Sequence, residues 1–139
     1  MKHMGKALLA GVAAGAAASL AMKVVDDLWQ RHYGEPSYET EFAQRIAGRH
    51  ATALHFAIGI ALGAGYGVAV ELMPDTAVAG GIPFFVGEAV LGNEVIGPRI
   101  GLFRPPHTYP ASKRWNSVLT HIVYGAVAEL VRREVRRRL

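Results

Sequence analysis

The run from Ala51 to Val70 is about twenty apolar residues broken only by His55, and a stretch that long and that pure reads as a transmembrane helix. At a rise of 1.5 Å per residue it reaches ~30 Å, the thickness of a bilayer's hydrocarbon core. Backbone groups in lipid have no water to turn to, so any further span must also be helical or part of a closed barrel. Met73-Pro74-Asp75 ends this segment in a tight turn.

Three more segments suggest spans. The run from Ala7 to Met22 lies between Lys6 and Lys23; as a helix it rises only ~24 Å, so Val24, Val25 and a snorkelling Lys23 extend it to about residue 25. Its basic then apolar start resembles a secretory signal. It runs on into Asp26, Asp27 and Trp29, however, and further apolar segments follow, so an uncleaved span is expected. A third segment, 77–97, carries Pro83, Glu88, Asn93 and Glu94; a fourth, 115–131, carries His121 and Glu129. Such residues are tolerated in a membrane helix only when they face other helices or water. The expectation is therefore an all-α, four-helix transmembrane bundle forming one domain, with spans at about 7–25, 51–72, 77–97 and 115–131. A polar connection after the first span should hold a short amphipathic helix over 38–46. The connection from Pro98 to Pro110 should be extended and stiff.

Hydrophobic residues make up 51% of the chain but aromatics only 9%, a mix suited to closely packed membrane helices. Gly11, Gly15 and Ser19 recur every fourth position on the first helix, as do Gly59, Gly63 and Gly67 on the second. Small residues at that spacing let backbones approach closely in lipid; Gly125 and Ala128 extend the pattern to the fourth helix. The sequence Tyr66-Gly67-x-x-x-Glu71-Leu72 returns as Tyr124-Gly125-x-x-x-Glu129-Leu130, which raises the idea of a duplicated hairpin. With no cysteine, the chain has no disulfide framework, no Cys-based zinc site and no thiol nucleophile.

The net charge of +4 is concentrated in Arg132, Arg133, Arg136, Arg137 and Arg138, directly after an apolar segment. That placement points to topology control and contact with anionic head groups rather than to nucleic acid. Four spans put both termini on one side, and the terminal arginines favour the cytoplasm for it. Lys2, Lys6 and those arginines are nevertheless matched on the other side by Arg31, Arg45, Arg49, Arg99, Arg104, Lys113 and Arg114. Trp29 and Trp115 fall at the outer interface, where amphipathic rings settle.

From Leu54 onward the chain carries His55, Gly65-Tyr66-Gly67, Glu71 with Pro74, Pro98 with Gly101-Leu102 and Pro105-Pro106, Trp115-Asn116, His121, and Glu129-Leu130-Val131-Arg132-Arg133. In that order and spacing it resembles the YagU-like family of bacterial inner-membrane proteins. The resemblance implies a helical inner-membrane protein and no particular reaction, since the family has none assigned. The connection after the first helix is shorter than the family pattern, so whatever that loop houses elsewhere does not carry over.

Treating each helix as a ruler sorts the ionisable residues by depth. His55 falls ~6 Å and His121 ~9 Å below the outer surface, level with Glu94 and with Asp26 and Asp27. Glu71 and Glu129 form an inner layer, and Glu88 stands alone near mid-membrane. Two imidazoles and a carboxylate at one depth could ligate a divalent metal such as zinc or iron. Two facing imidazoles could hold a haem, although glycine seams narrow the slot a haem needs. The same groups, with Glu88, could relay protons or cations; a single packed bundle leaves little space for a pore, which favours a homo-oligomer or a larger complex. A structural or accessory subunit without chemistry of its own is the remaining reading. Enzyme chemistry has little support, because no serine sits in a nucleophile motif and Gly63-x-Gly65-x-Gly67 lies within an apolar span.

Overall fold

Helix formation follows the apolar periodicity, but the helices outrun the apolar segments. The computed structural model describes residues 2–139, the side chain of Lys2 excepted. Helix α1 runs Lys2–Tyr33, α2 Tyr38–Ala47, α3 Ala51–Leu72, α4 Ile82–Val90, α5 Gly97–Arg99 and α6 Ala111–Arg138. No strand occurs among the described residues. Two stretches, His3–Tyr33 and Tyr38–Leu72, are long and apolar enough to cross a membrane; α4 and α6 do not reach that measure.

The expected third segment needs the largest correction. Residues 74–81 form a broken 3-10 stretch rather than regular helix, with Val78, Ala79 and Gly80 out of helical geometry. Ala79 takes φ 48° and Gly80 φ 70°, left-handed values that glycine adopts freely and alanine does not. Helix α4 starts only at Ile82 with Pro83 in its first turn, where a missing N–H costs nothing. It passes through a π-helical turn, Leu91–Ile96, before the single turn of α5. The Pro-rich connection also departs from the extended form: Pro98 lies in α5 and Pro106–Thr108 coil into a 3-10 turn.

Helix α2 is held at its start by Ser37, whose hydroxyl accepts from the Thr40 amide at 3.0 Å, a standard N-cap. Helices α1 and α3 pack along their length, α1 also packs on α6, and α6 on α4. The spatial order is α3, α1, α6, α4. Helices α3 and α4 do not close on each other, and α2 lies across the end of that gap, against α3 and α6.

The α1–α3 contact is backbone against backbone. A Cβ built on Gly15 would sit 2.6 Å from the Gly59 carbonyl oxygen, and one on Gly11 2.9 Å from the Ala64 Cα. Gly67 faces Ala7 and Gly11, and Gly59 faces Ser19. Gly125 meets a different partner, the start of α4 at Ile82, 2.9 Å away. Ala10, Ala14 and Ala18 line the inside of α1 with no exposure, whereas Leu8, Leu9, Leu20, Val24 and Leu28 are exposed on its outside. The interior is small side chains and aromatic rings, while large aliphatic ones point out.

Candidate functional site

Most of the polar residues singled out by depth are satisfied at one end of the bundle or the other. Asp26 is buried and accepts from Ser37 Oγ at 2.9 Å, Thr40 Oγ1 at 2.6 Å and Asn116 Nδ2 at 2.8 Å. It ties α1, α2 and α6 together. Glu94 forms a two-pronged pair with Arg114 at 2.8 and 2.9 Å, and that carboxylate holds the Arg114 guanidinium above its ordinary range. Lys113, buried by the Tyr38 and Tyr109 rings, pairs with Glu41.

At the opposite end Glu129 takes Arg132 at 2.7 Å, Arg133 at 2.5 Å and the Tyr66 hydroxyl at 2.9 Å. Glu71 takes Arg136 at 3.0 Å, while Arg137 and Arg138 both turn to Glu134. Lys6 reaches the Leu139 carbonyl, so the two chain ends meet there.

The expected outer layer of Asp26, His55, Glu94 and His121 therefore does not assemble as one ligand set. Among the described residues no three His, Asp or Glu side chains converge as a metal site. The reason is chain geometry. Helix α6 begins at Ala111 rather than near Trp115, so His121 sits ~15 Å along it and drops to the level of Glu88. Asp26 and Glu94 are meanwhile taken up by nearer donors.

What does assemble is a group of three around the buried His121. His121 Nε2 lies 3.8 Å from Glu88 Oε2, and its Nδ1 lies 3.9 Å from Glu39 Oε1. Glu88, expected to stand alone, has His121 as its neighbour. Nδ1 also lies 2.7 Å from the Ser117 carbonyl oxygen; a carbonyl only accepts, so Nδ1 carries the proton and donates. Nε2 is left as the exchangeable position. Glu39 Oε1 accepts from Asn93 Nδ2 at 2.9 Å and from Ser117 Oγ at 3.3 Å. Asn93 is delivered by the π-helical turn, a distortion often found at functional sites. Glu39 Oε2 and Glu88 Oε2 are both buried with no hydrogen-bond partner.

These groups face a cavity of about 330 Å³ between α3 and α4. Its walls are mainly apolar, with Phe42, Ile58, Leu62, Phe85 and Ile96 among them, and Phe103 and Leu102 roof it. Arg45 clamps that roof through the Leu102 carbonyl at 2.7 Å. His55 lines the same cavity, its Nε2 donating to the Ser19 carbonyl at 3.1 Å. Toward the Glu129 end the cavity stops at tilted aromatic rings: Phe85 lies 4.7 Å from Tyr124 and 4.8 Å from Tyr66. Tyr124 donates to the Gly59 carbonyl, closing α6 onto α3.

Glu39 is the member that sequence reasoning missed. It sits in the polar connection, and only the folding of α2 across the bundle brings it to His121; no spacing rule reports that. Comparison of the chain with protein-family models, curated proteins and solved structures finds no match.

Proposed function

We propose that the chain is a four-span protein of the bacterial inner membrane, with both termini cytoplasmic, and that Glu39, His121 and Glu88 handle protons at the floor of its cavity. The observation that carries this reading is the pair of unpartnered carboxylate oxygens beside an imidazole in a mainly apolar cavity. Glu39 and Glu88 each lie within 4 Å of the His121 ring, and titratable groups within a membrane commonly mark ion and proton routes. The YagU-like resemblance supports the membrane and its identity. The outward-facing leucines and valines support lipid contact, since a water-soluble monomer rarely exposes so continuous an apolar surface.

Beneath the site, the Tyr66, Phe85 and Tyr124 rings separate it from Glu129, which reaches the inner end with its arginines. Those rings act as the barrier that a transferred proton must pass.

Proteoliposomes carrying an imposed pH gradient and a trapped pH-sensitive dye test the reading. Wild-type protein should collapse the gradient several-fold faster than empty liposomes. His121→Ala and Glu88→Gln should return the rate to that of empty liposomes, and Phe85→Ala should raise it. A wild-type rate equal to that of empty liposomes, or one untouched by both changes at the triad, would overturn the proposal.

A further inference from the structure

The geometry points to a ligand for this cavity: we infer that it binds a lipophilic organic cation, a protonated amine on an apolar body of one or two rings, with the ammonium between Glu39 and Glu88. The inference rests on the reading of the triad as the working site and names the substrate class of that site.

Charge is the first argument. Glu39 Oε2 and Glu88 Oε2 are buried without a donor, and an unmade hydrogen bond at a buried carboxylate costs more than one at a neutral group. The nearby basic side chains are committed elsewhere, Lys113 to Glu41 and Arg114 to Glu94. His121 can neutralise one carboxylate at most, because its Nδ1 proton is already given to Ser117. Two carboxylates against a single imidazolium leave one negative charge for a cation from outside the chain.

The second argument concerns which cation. A metal ion needs a shell of several ligands, and among the described residues no three acidic or imidazole groups stand close enough together to hold one. An alkylammonium needs only acceptors for its N–H groups, and the two carboxylates supply them. The body of such a cation would lie against Phe42, Leu62, Phe85 and Ile96, and ring faces attract ammonium groups. A volume of about 330 Å³ is at the small end of ligand cavities, ~300–1,000 Å³, which sets the limit of one or two rings. Ile58 and Ile96 are exposed at the mouth, so an amine dissolved in the bilayer enters from the side. The arriving ammonium offsets that remaining negative charge, so no proton need leave the site.

The test uses full-length protein in lipid nanodiscs and three probes that share one ring system: 1-naphthylmethylamine, 1-naphthylmethanol and 1-naphthylacetate. Binding is read from naphthyl fluorescence with empty nanodiscs subtracted. The amine should bind at least tenfold more tightly than the alcohol, and the acid should not bind. Glu88→Gln and Glu39→Gln should each weaken the amine tenfold or more and leave the alcohol unchanged. Ile58→Trp, which fills the mouth, should weaken both. Equal binding of amine and alcohol to wild-type protein overturns the inference whatever the variants do. If proton flux depends on the triad while the amine does not bind, this inference fails and the proton reading stands; if amine binding depends on the triad and no flux is seen, the reverse holds.

Discussion

Asp26 and Glu88 are carboxylates at the edge and in the middle of apolar segments, and their surroundings part them completely. Asp26 accepts three side-chain hydrogen bonds from two other parts of the chain, which makes it a fastener. Glu88 has a buried oxygen with no donor and an imidazole 3.8 Å away, which makes it reactive. Sequence reading placed both among the ion or metal candidates, because depth alone carries no information about partners. It found Glu88 and His121 by their cost in lipid, but could not pair them without the true start of α6. Asp26→Ala should destabilise the protein by roughly 3–5 kcal/mol, since it strands donors that are worth about 1.5–3 kcal/mol each when bonded to a charge. A thermal unfolding series in detergent checks this. Glu88→Gln should leave the unfolding temperature within a few degrees of wild type while abolishing proton flux. That split separates a fastener from a working group.

At the level of elements, the fourth-position glycines and the helices that bear them were legible, because helical period and residue size are local properties. The helix ends were not. Helices α1 and α6 run on to Tyr33 and Arg138, since polar residues can continue a helix beyond its apolar run. The break before α4 was hidden because Gly80-Gly81-Pro83 are apolar enough to pass a hydropathy reading. The close α1–α3 contact makes its own prediction. Gly15→Leu or Gly63→Leu drives a side chain into the facing backbone, where a Cβ at Gly15 already meets Gly59 oxygen at 2.6 Å. Overpacking of that kind costs about 1–3 kcal/mol and more where the backbone must move. Gly65, on the same helix with open space at its Cβ position, should accept leucine without loss. Unfolding temperatures of the three variants decide the point, and equal losses at Gly65 and Gly63 would refute the backbone contact.

Seen whole, the molecule has two charged ends and an apolar middle. The ion pairs of Lys23, Lys113 and Arg114 gather at one end and those of Arg132, Arg133, Arg136, Arg137 and Arg138 at the other. Between them the ionisable contacts are those of His121 with Glu39 and Glu88. Such banding matches a bilayer, and it gives the triad its importance, because the same three groups exposed to water would be ordinary. Crossing by α1, α3, α6 and the stretch from α4 through α5 is therefore the central claim. The chain has no native cysteine, so single cysteines can be placed at will and labelled with a membrane-impermeant maleimide in spheroplasts, where the outer face of the inner membrane is open. Four spans with cytoplasmic termini predict that Glu35→Cys and His107→Cys react from outside, while Asp75→Cys and Leu139→Cys react only after the membrane is permeabilised. Labelling that puts positions 35 and 107 on opposite sides, or that reaches all four positions equally in intact spheroplasts, would contradict the account.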